Sequence, residues 1–367
     1  MSARPETIIR DEILRMSAYA VPSSTGMIKL DAMENPYALP EALRQEIGAL
    51  VTASEINRYP DPSAPDLKRR LRAVMGINKA YDILLGNGSD ELIQIMIQAC
   101  ARPGATIMAP APTFAMYRQY AVIAGLKYVG VPLAPDFSLD LERFLAAMRE
   151  HRPAIVFVSY PNNPTGNLFP ADAVARILEE APGLVVVDEA YQPFADGTFM
   201  TRLPDHQNLV MLRTVSKLGL AGIRLGYAVA RPEWVAEFNK VRSPYNVNVL
   251  TQLVAERVLA HNDVLQEQAV AIREERAKLA AALGRMAGVT PFPSQANFIL
   301  ARVPDARLVF EELRQRGILI KNLHEMHPLL DQCVRFTVGT PIENASLIAS
   351  LEAILSARGA VTADRVG

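Results

Sequence analysis

Cysteine is scarce: Cys100 and Cys333 alone occur in 367 residues, too few and too far apart for a disulfide framework or a clustered zinc site. Both read as reduced core residues. No apolar run approaches the roughly 20 residues that span a bilayer. Positions 1–16 mix Arg4, Glu6, Arg10, Asp11, Glu12 and Arg15 with isolated apolar residues, so they hold no signal-peptide apolar region. A cytoplasmic location is the expectation. An excess of one charge sign is also missing, since 38 basic and 39 acidic residues leave a net charge of -1. That excludes the basic footprint that nucleic acid or an anionic membrane demands and leaves small molecules as the expected ligands.

Two nucleotide signatures are absent as well. No Gly-x-x-x-x-Gly-Lys-Ser/Thr segment occurs, and Glu91 stands where a dinucleotide fingerprint begun at Gly86-Asn87-Gly88 needs its third glycine. His324-Glu325-Met326-His327 sets its histidines three apart, not the four that a helical zinc motif requires, so it reads as a loop and no metal is expected. There is no internal repeat and no low-complexity segment.

What is present is the composition of an ordinary globular chain, 50% hydrophobic and 21% charged, long enough for a large α/β domain with a smaller one attached. Short apolar runs at 83–85, 106–109, 127–131, 155–159, 184–187, 209–212 and 226–230 alternate with amphipathic helices. That is the pattern of a mostly parallel sheet between helices. Leu67, Leu71 and Val74, and Leu141, Phe144, Leu145 and Met148, mark one buried face on each of two helices. After Asn246 an Ala-, Leu- and charge-rich stretch to about Met286 reads as one or two long helices. Strands over 297–301 and 334–338, a helix over 306–317 and a closing helix over 343–358 then make a small α+β unit. The expected division is an N-terminal arm over 1–40 packing with the small domain, a large domain over 41–285 and a small C-terminal domain over 286–367.

In open α/β sheets ligands bind beyond the carboxyl ends of strands, so the polar segments after the apolar runs carry the chemistry. Gly86-Asn87-Gly88-Ser89-Asp90-Glu91 opens an apolar helix; it is either a plain strand-to-helix turn or a cradle of backbone N–H groups for a phosphate. Leu184-Val185-Val186-Val187-Asp188-Glu189 ends in a carboxylate that needs a cationic partner if buried. Pro161-Asn162-Asn163-Pro164-Thr165-Gly166 reads as a turn, and Thr214-Val215-Ser216-Lys217 precedes Gly219, Gly222 and Arg224.

Together these segments resemble fold-type-I pyridoxal-phosphate-dependent aminotransferases. The resemblance implies that fold, with pyridoxal 5'-phosphate held as a Schiff base on Lys217. It implies a phosphate site from Gly88, Ser89, Asp90, Ser216 and Arg224, and Phe114 stacked on the ring, a position where a plain core aromatic is the alternative. Asp188 would keep the pyridine nitrogen protonated, so that the ring can absorb the carbanion formed at the substrate Cα, while Asn163 and Tyr191 share the 3'-oxygen.

Three further segments resemble the histidinol-phosphate branch of that family: Leu30-Asp31-Ala32-Met33-Glu34-Asn35-Pro36, Arg58-Tyr59-Pro60 and Val334-Arg335-Phe336-Thr337-Val338-Gly339-Thr340. This implies glutamate and imidazole acetol phosphate as substrates, met by Tyr19, Asn35, Tyr59, Asn163, Lys321 and Arg335. Tyr59 would reach the cofactor phosphate of a neighbouring subunit, in a homodimer with shared sites. Arg335, in a strand, needs an anion, whether a substrate group or an internal carboxylate. Lys321 stands where relatives often carry a second arginine, keeping the charge without the paired donors. Aromatic transamination, decarboxylation of a phosphorylated amino acid, and a nucleotide-binding domain without catalysis are the alternative functions.

Overall fold

The computed structural model describes residues 3–18 and 21–363, so Tyr19 lies outside the described residues. Its strands are β1 (Ile28–Leu30), β2 (Asp82–Asn87), β3 (Thr106–Ala111), β4 (Lys127–Pro132), β5 (Ile155–Ser159), β6 (Leu184–Asp188), β7 (Leu209–Thr214), β8 (Leu225–Ala230), β9 (Thr290–Pro291), β10 (Phe298–Arg302), β11 (Ile318–Asn322) and β12 (Cys333–Thr337). They form a seven-stranded sheet in the order β2-β8-β7-β6-β5-β3-β4 and a five-stranded sheet in the order β1-β11-β12-β10-β9.

The large sheet is parallel except at β8, which runs antiparallel to both neighbours. Every residue of β5, β6, β7 and β8 is buried. The two-residue side-chain period explains why these strands are apolar on both faces up to their carboxyl ends. In β6, Val185 and Val187 enter the core on one face while Leu184 and Val186 enter the core on the other. Val156 and Val158 against Ile155 and Phe157 do the same in β5. The α/β architecture read from the sequence is the one observed.

The Ala- and Leu-rich stretch folds as two helices, Val249–Ala260 and Asn262–Arg285, broken at His261 where ψ turns to 44°. Asn248 caps the first, its side chain accepting the Thr251 N–H. In the small sheet Phe298, Phe336 and Val334 pack against Leu313 and Leu347 of helices Ala306–Gln315 and Pro341–Ala363. Three features go beyond the sequence reading. The arm supplies β1, which pairs in parallel with β11, Ile28 opposite Ile318; β11 itself is a full strand; and β8 is reversed. Each depends on partners far away in the chain, which no local pattern encodes.

Candidate active site

The carboxyl ends of β5, β6 and β7 deliver Ser159, Asp188 and Thr214 to one side of the large sheet. They line a cleft of about 510 Å³ together with Ser89, Asp90, Phe114, Asn163, Tyr191, Ser216, Lys217 and Arg224. All of these but Ser159 and Thr214 are side chains singled out from the sequence, and Met33 of the arm closes one wall.

At one end the 12-residue helix Gly88–Ala99 presents its N-terminus. Its first N–H groups have no intrahelical acceptor, and the helix dipole favours an anion there. Gly88 sits at φ 76°, and a Cβ on it would stand 2.7 Å from Arg224 Nη2, so glycine is what lets the guanidinium lie against the turn. Arg224 itself has φ 52°, a left-handed conformation that costs a non-glycine residue of order 1–3 kcal/mol and tends to mark functional turns. Its Nη1 lies 3.5 Å from Ser216 Oγ, and its Nη2 is 3.3 Å from Asp90 Oδ2. Thr214 Oγ1 lies 2.9 Å from Ser216 Oγ and accepts the Ser216 N–H at 3.1 Å, fixing the turn into the wide helical segment Ser216–Leu220.

At the other end Asp188 is buried, with Oδ1 accepting the Ala190 N–H at 3.1 Å and Oδ2 accepting the Tyr117 hydroxyl at 2.7 Å. Desolvation pushes its carboxyl up to about 6, against those two hydrogen bonds. Among the described residues no lysine, arginine or histidine forms an ion pair with it. Asn163 donates its amide to the Tyr191 hydroxyl at 3.0 Å, and burial holds that phenol well above its ordinary value.

Lys217 is enclosed, and its Nζ donates to the Ala32 carbonyl at 2.8 Å. Burial, then the positive charge of Arg335, brings the amine down to about 8. Arg335 is 6% exposed; it donates to Asn163 Oδ1 at 2.7 Å and to the Asp31 carbonyl at 2.8 Å, and its guanidinium lies 5.2 Å from the Phe298 ring centroid. Lys321 stands directly opposite Arg335 in the antiparallel β11–β12 register. The arm segment over 31–35 is therefore a strap between the sheets, latched where Thr337 Oγ1 accepts the Met33 N–H and Asn297 donates to the Met33 carbonyl.

This donor set fits a flat ring bearing a phosphate, a cationic nitrogen and an aldehyde: pyridoxal phosphate. The helix N-terminus with Ser216 and Arg224 suits the phosphate, Asp188 is a buried anion lacking a cation, and Lys217 is a buried amine.

Not every residue expected at the site lines the cleft. Asn35 donates to the Leu218 carbonyl at 3.0 Å and to Gln268 Oε1 at 2.9 Å, buttressing the turn that carries Lys217. Tyr59 is 80% exposed and stacks on Tyr245 with ring centroids 4.5 Å apart. Tyr117, Ser159, Thr214 and Met33 escape the sequence reading. Tyr117 carries a recoverable signal, three positions beyond Phe114 on one helix face.

A family model described as aminotransferase class I and II matches residues 25–351. Over 352 residues the chain is 54% identical to histidinol-phosphate aminotransferase 2 of Burkholderia pseudomallei, covering 96% of this chain and 99% of that one. Histidinol-phosphate aminotransferase of Chromobacterium violaceum is 53% identical over the same shares. The crystal structure of histidinol-phosphate aminotransferase from Sinorhizobium meliloti in complex with pyridoxal-5'-phosphate superposes with a TM-score of 0.86 at 26% identity, covering 96% of this chain and 98% of that one.

Proposed function

This chain belongs to the class I and II aminotransferase family, and from that premise we propose that it passes the amino group of glutamate to imidazole acetol phosphate, giving histidinol phosphate and 2-oxoglutarate in histidine biosynthesis. The observation that carries this reading is 54% identity to a histidinol-phosphate aminotransferase along nearly the whole of both chains. The enzyme uses pyridoxal 5'-phosphate, which when bound withdraws electrons from the substrate Cα and so makes its proton removable.

The roles of individual residues are our assignment. Gly88, Ser89, Asp90, Ser216 and Arg224 hold the phosphate, supported by the helix N-terminus and the hydroxyls about Arg224. Phe114 packs on the ring, Asn163 and Tyr191 bond the 3'-oxygen, and Asp188 keeps the ring nitrogen protonated. Lys217 would anchor the cofactor through its amine, and its Nζ, when free, is the general base that would take the proton from the substrate Cα. A group brought down to about 8 suits that task. Arg335 binds the anionic end of both substrates, with Lys321 opposite it in the β11–β12 register as a second charge.

Tyr59, exposed in the single chain, serves the phosphate of a neighbouring subunit in a homodimer. Among the described residues no helix is long and apolar enough to cross a membrane; we place the enzyme in the cytoplasm. We divide the chain into the arm over 1–40, the large domain over 41–285 and the small domain over 286–367, with β1 tying the arm to the small sheet.

Following the visible absorbance of the holoenzyme during sequential addition of glutamate and imidazole acetol phosphate tests the reading. Loss and then recovery of the absorbance is expected. Arg335→Lys raises the KM for both substrates about tenfold or more, because a point charge replaces paired donors. Wild-type preference for phenylpyruvate, or unchanged constants in the variant, overturns the substrate assignment.

A further inference from the structure

Asp188 needs two properties to serve a ring nitrogen: it must be ionised, and it must present a free lone pair in a fixed direction. Its surroundings work against the first. Burial raises its proton affinity, and the negative charges of Asp90, on the facing helix Gly88–Ala99, and Glu189, next in the chain, raise it further. Among the described residues two hydrogen bonds oppose this, the Ala190 N–H on Oδ1 and the Tyr117 hydroxyl on Oδ2. Tyr191, the other phenol nearby, donates nothing to Asp188; its hydroxyl accepts from Asn163.

Tyr117 is built to hold its place. It is wholly buried on helix Ala115–Ile123, its ring stacked on Phe157 of β5 at 4.5 Å and 9°, and set edge-on to Phe114 at 5.5 Å and 83°. A phenol with two torsions, clamped on one face and one edge, keeps its oxygen beside Asp188 Oδ2, to which it donates, with Ser159 as its other side-chain neighbour. Packing alone does not call for that hydroxyl, since phenylalanine would fill the same stack.

We propose that Tyr117 is a positioning residue for this reaction: its hydroxyl holds the Asp188 carboxylate ionised and in one orientation, so that the proton shared with the cofactor's ring nitrogen stays on nitrogen. The inference rests on Asp188 facing that nitrogen. Loss of the hydroxyl leaves Oδ2 buried without its donor, the carboxylate becomes the stronger base, and the shared proton moves from nitrogen to oxygen with no change in its number. Tyr117 remains a donor throughout, because burial and the adjacent carboxylate hold its own proton well past the ordinary tyrosine range.

The test uses holoenzyme loaded with pyridoxal phosphate carrying ¹⁵N in the ring, whose chemical shift reports the site of protonation without turnover. Wild type, Tyr117→Phe and Asp188→Asn are compared at one neutral pH, with cofactor stoichiometry and circular dichroism confirming intact folds. Wild type gives the protonated-nitrogen shift, Asp188→Asn the neutral one, and Tyr117→Phe a shift displaced toward neutral. Its kcat falls about tenfold with KM changed less than about threefold, since binding groups are untouched. Incorporating 3-fluorotyrosine at position 117, a stronger donor of nearly the same size, keeps the protonated shift. A Tyr117→Phe shift equal to wild type, while Asp188→Asn moves, reduces Tyr117 to a packing residue. A protonated shift in Asp188→Asn instead removes the ring-nitrogen role of Asp188, and the inference with it.

Discussion

A lysine at the end of a strand is ordinarily solvated and protonated; Lys217 is enclosed, with Arg335 adding a like charge, and its amine sits at about 8. Capture of pyridoxal phosphate by the cofactor-free protein, followed by stopped-flow absorbance, therefore rises with pH to a plateau with a midpoint near 8. Arg335→Gln removes the second largest cause and moves that midpoint upward; a wild-type midpoint near 10 would show an amine that is not desolvated. Asp188 has the opposite sign. Its folded-state value of about 6 lies above the 3.8 of an ordinary aspartate, so the ionised carboxylate costs stability at pH above 6, and the cost vanishes as pH falls below about 4. In cofactor-free protein Asp188→Asn is accordingly more stable to urea at pH 7.5, by up to about 3 kcal/mol at 1.36 kcal/mol per pH unit. The gap closes toward pH 4. Equal stabilities at pH 7.5 would mean that the carboxylate is better solvated than its burial implies.

Between elements, the ends of β6 and β7 are joined by a buried ion pair beside the cleft. Arg213 donates to Glu189 Oε2 through Nε at 2.9 Å and Nη2 at 2.7 Å, and Glu189 also accepts from Thr198 and the Phe199 N–H. Breaking one side strands a buried charge, so Arg213→Met costs about 3–5 kcal/mol in denaturant unfolding, while the double variant Arg213→Met with Glu189→Gln recovers much of it. A single-variant cost under about 1 kcal/mol would mean that the pair is solvated. Glu189 was legible only as the second half of an acidic strand end, and Arg213 as the start of the lysine segment. Their pairing follows from the β6–β7 register, Asp188 opposite Leu212, which no local pattern specifies.

At the scale of the whole molecule, Tyr59 and Ile56 are exposed, 80% and 71%, on the segment between helices Glu41–Thr52 and Pro65–Met75, outside the strand-helix alternation. With Tyr59 assigned to the neighbouring subunit's phosphate, each site of a homodimer draws on two chains. Mixing inactive Tyr59→Ala and Lys217→Ala subunits then rebuilds sites with both residues intact, up to about one per mixed dimer. Mass-verified heterodimers without activity would end the shared-site idea.

By itself the sequence determined the alternating α/β architecture, because buried parallel strands must be apolar on both faces, as 184–187 is, and because a 3.6-residue period shows in Phe144, Leu145 and Met148. It also marked Asp188, Lys217 and Arg224, since chemistry at strand ends demands polar residues directly after apolar runs. Tertiary structure alone decided the rest. The strap over 31–35, the Lys321–Arg335 register, reversed β8 and the Tyr117–Asp188 bond join residues between 14 and over 300 positions apart. Such contacts arise when sheets and helices pack, and the energy that selects them belongs to the packed core, not to any local segment of the chain.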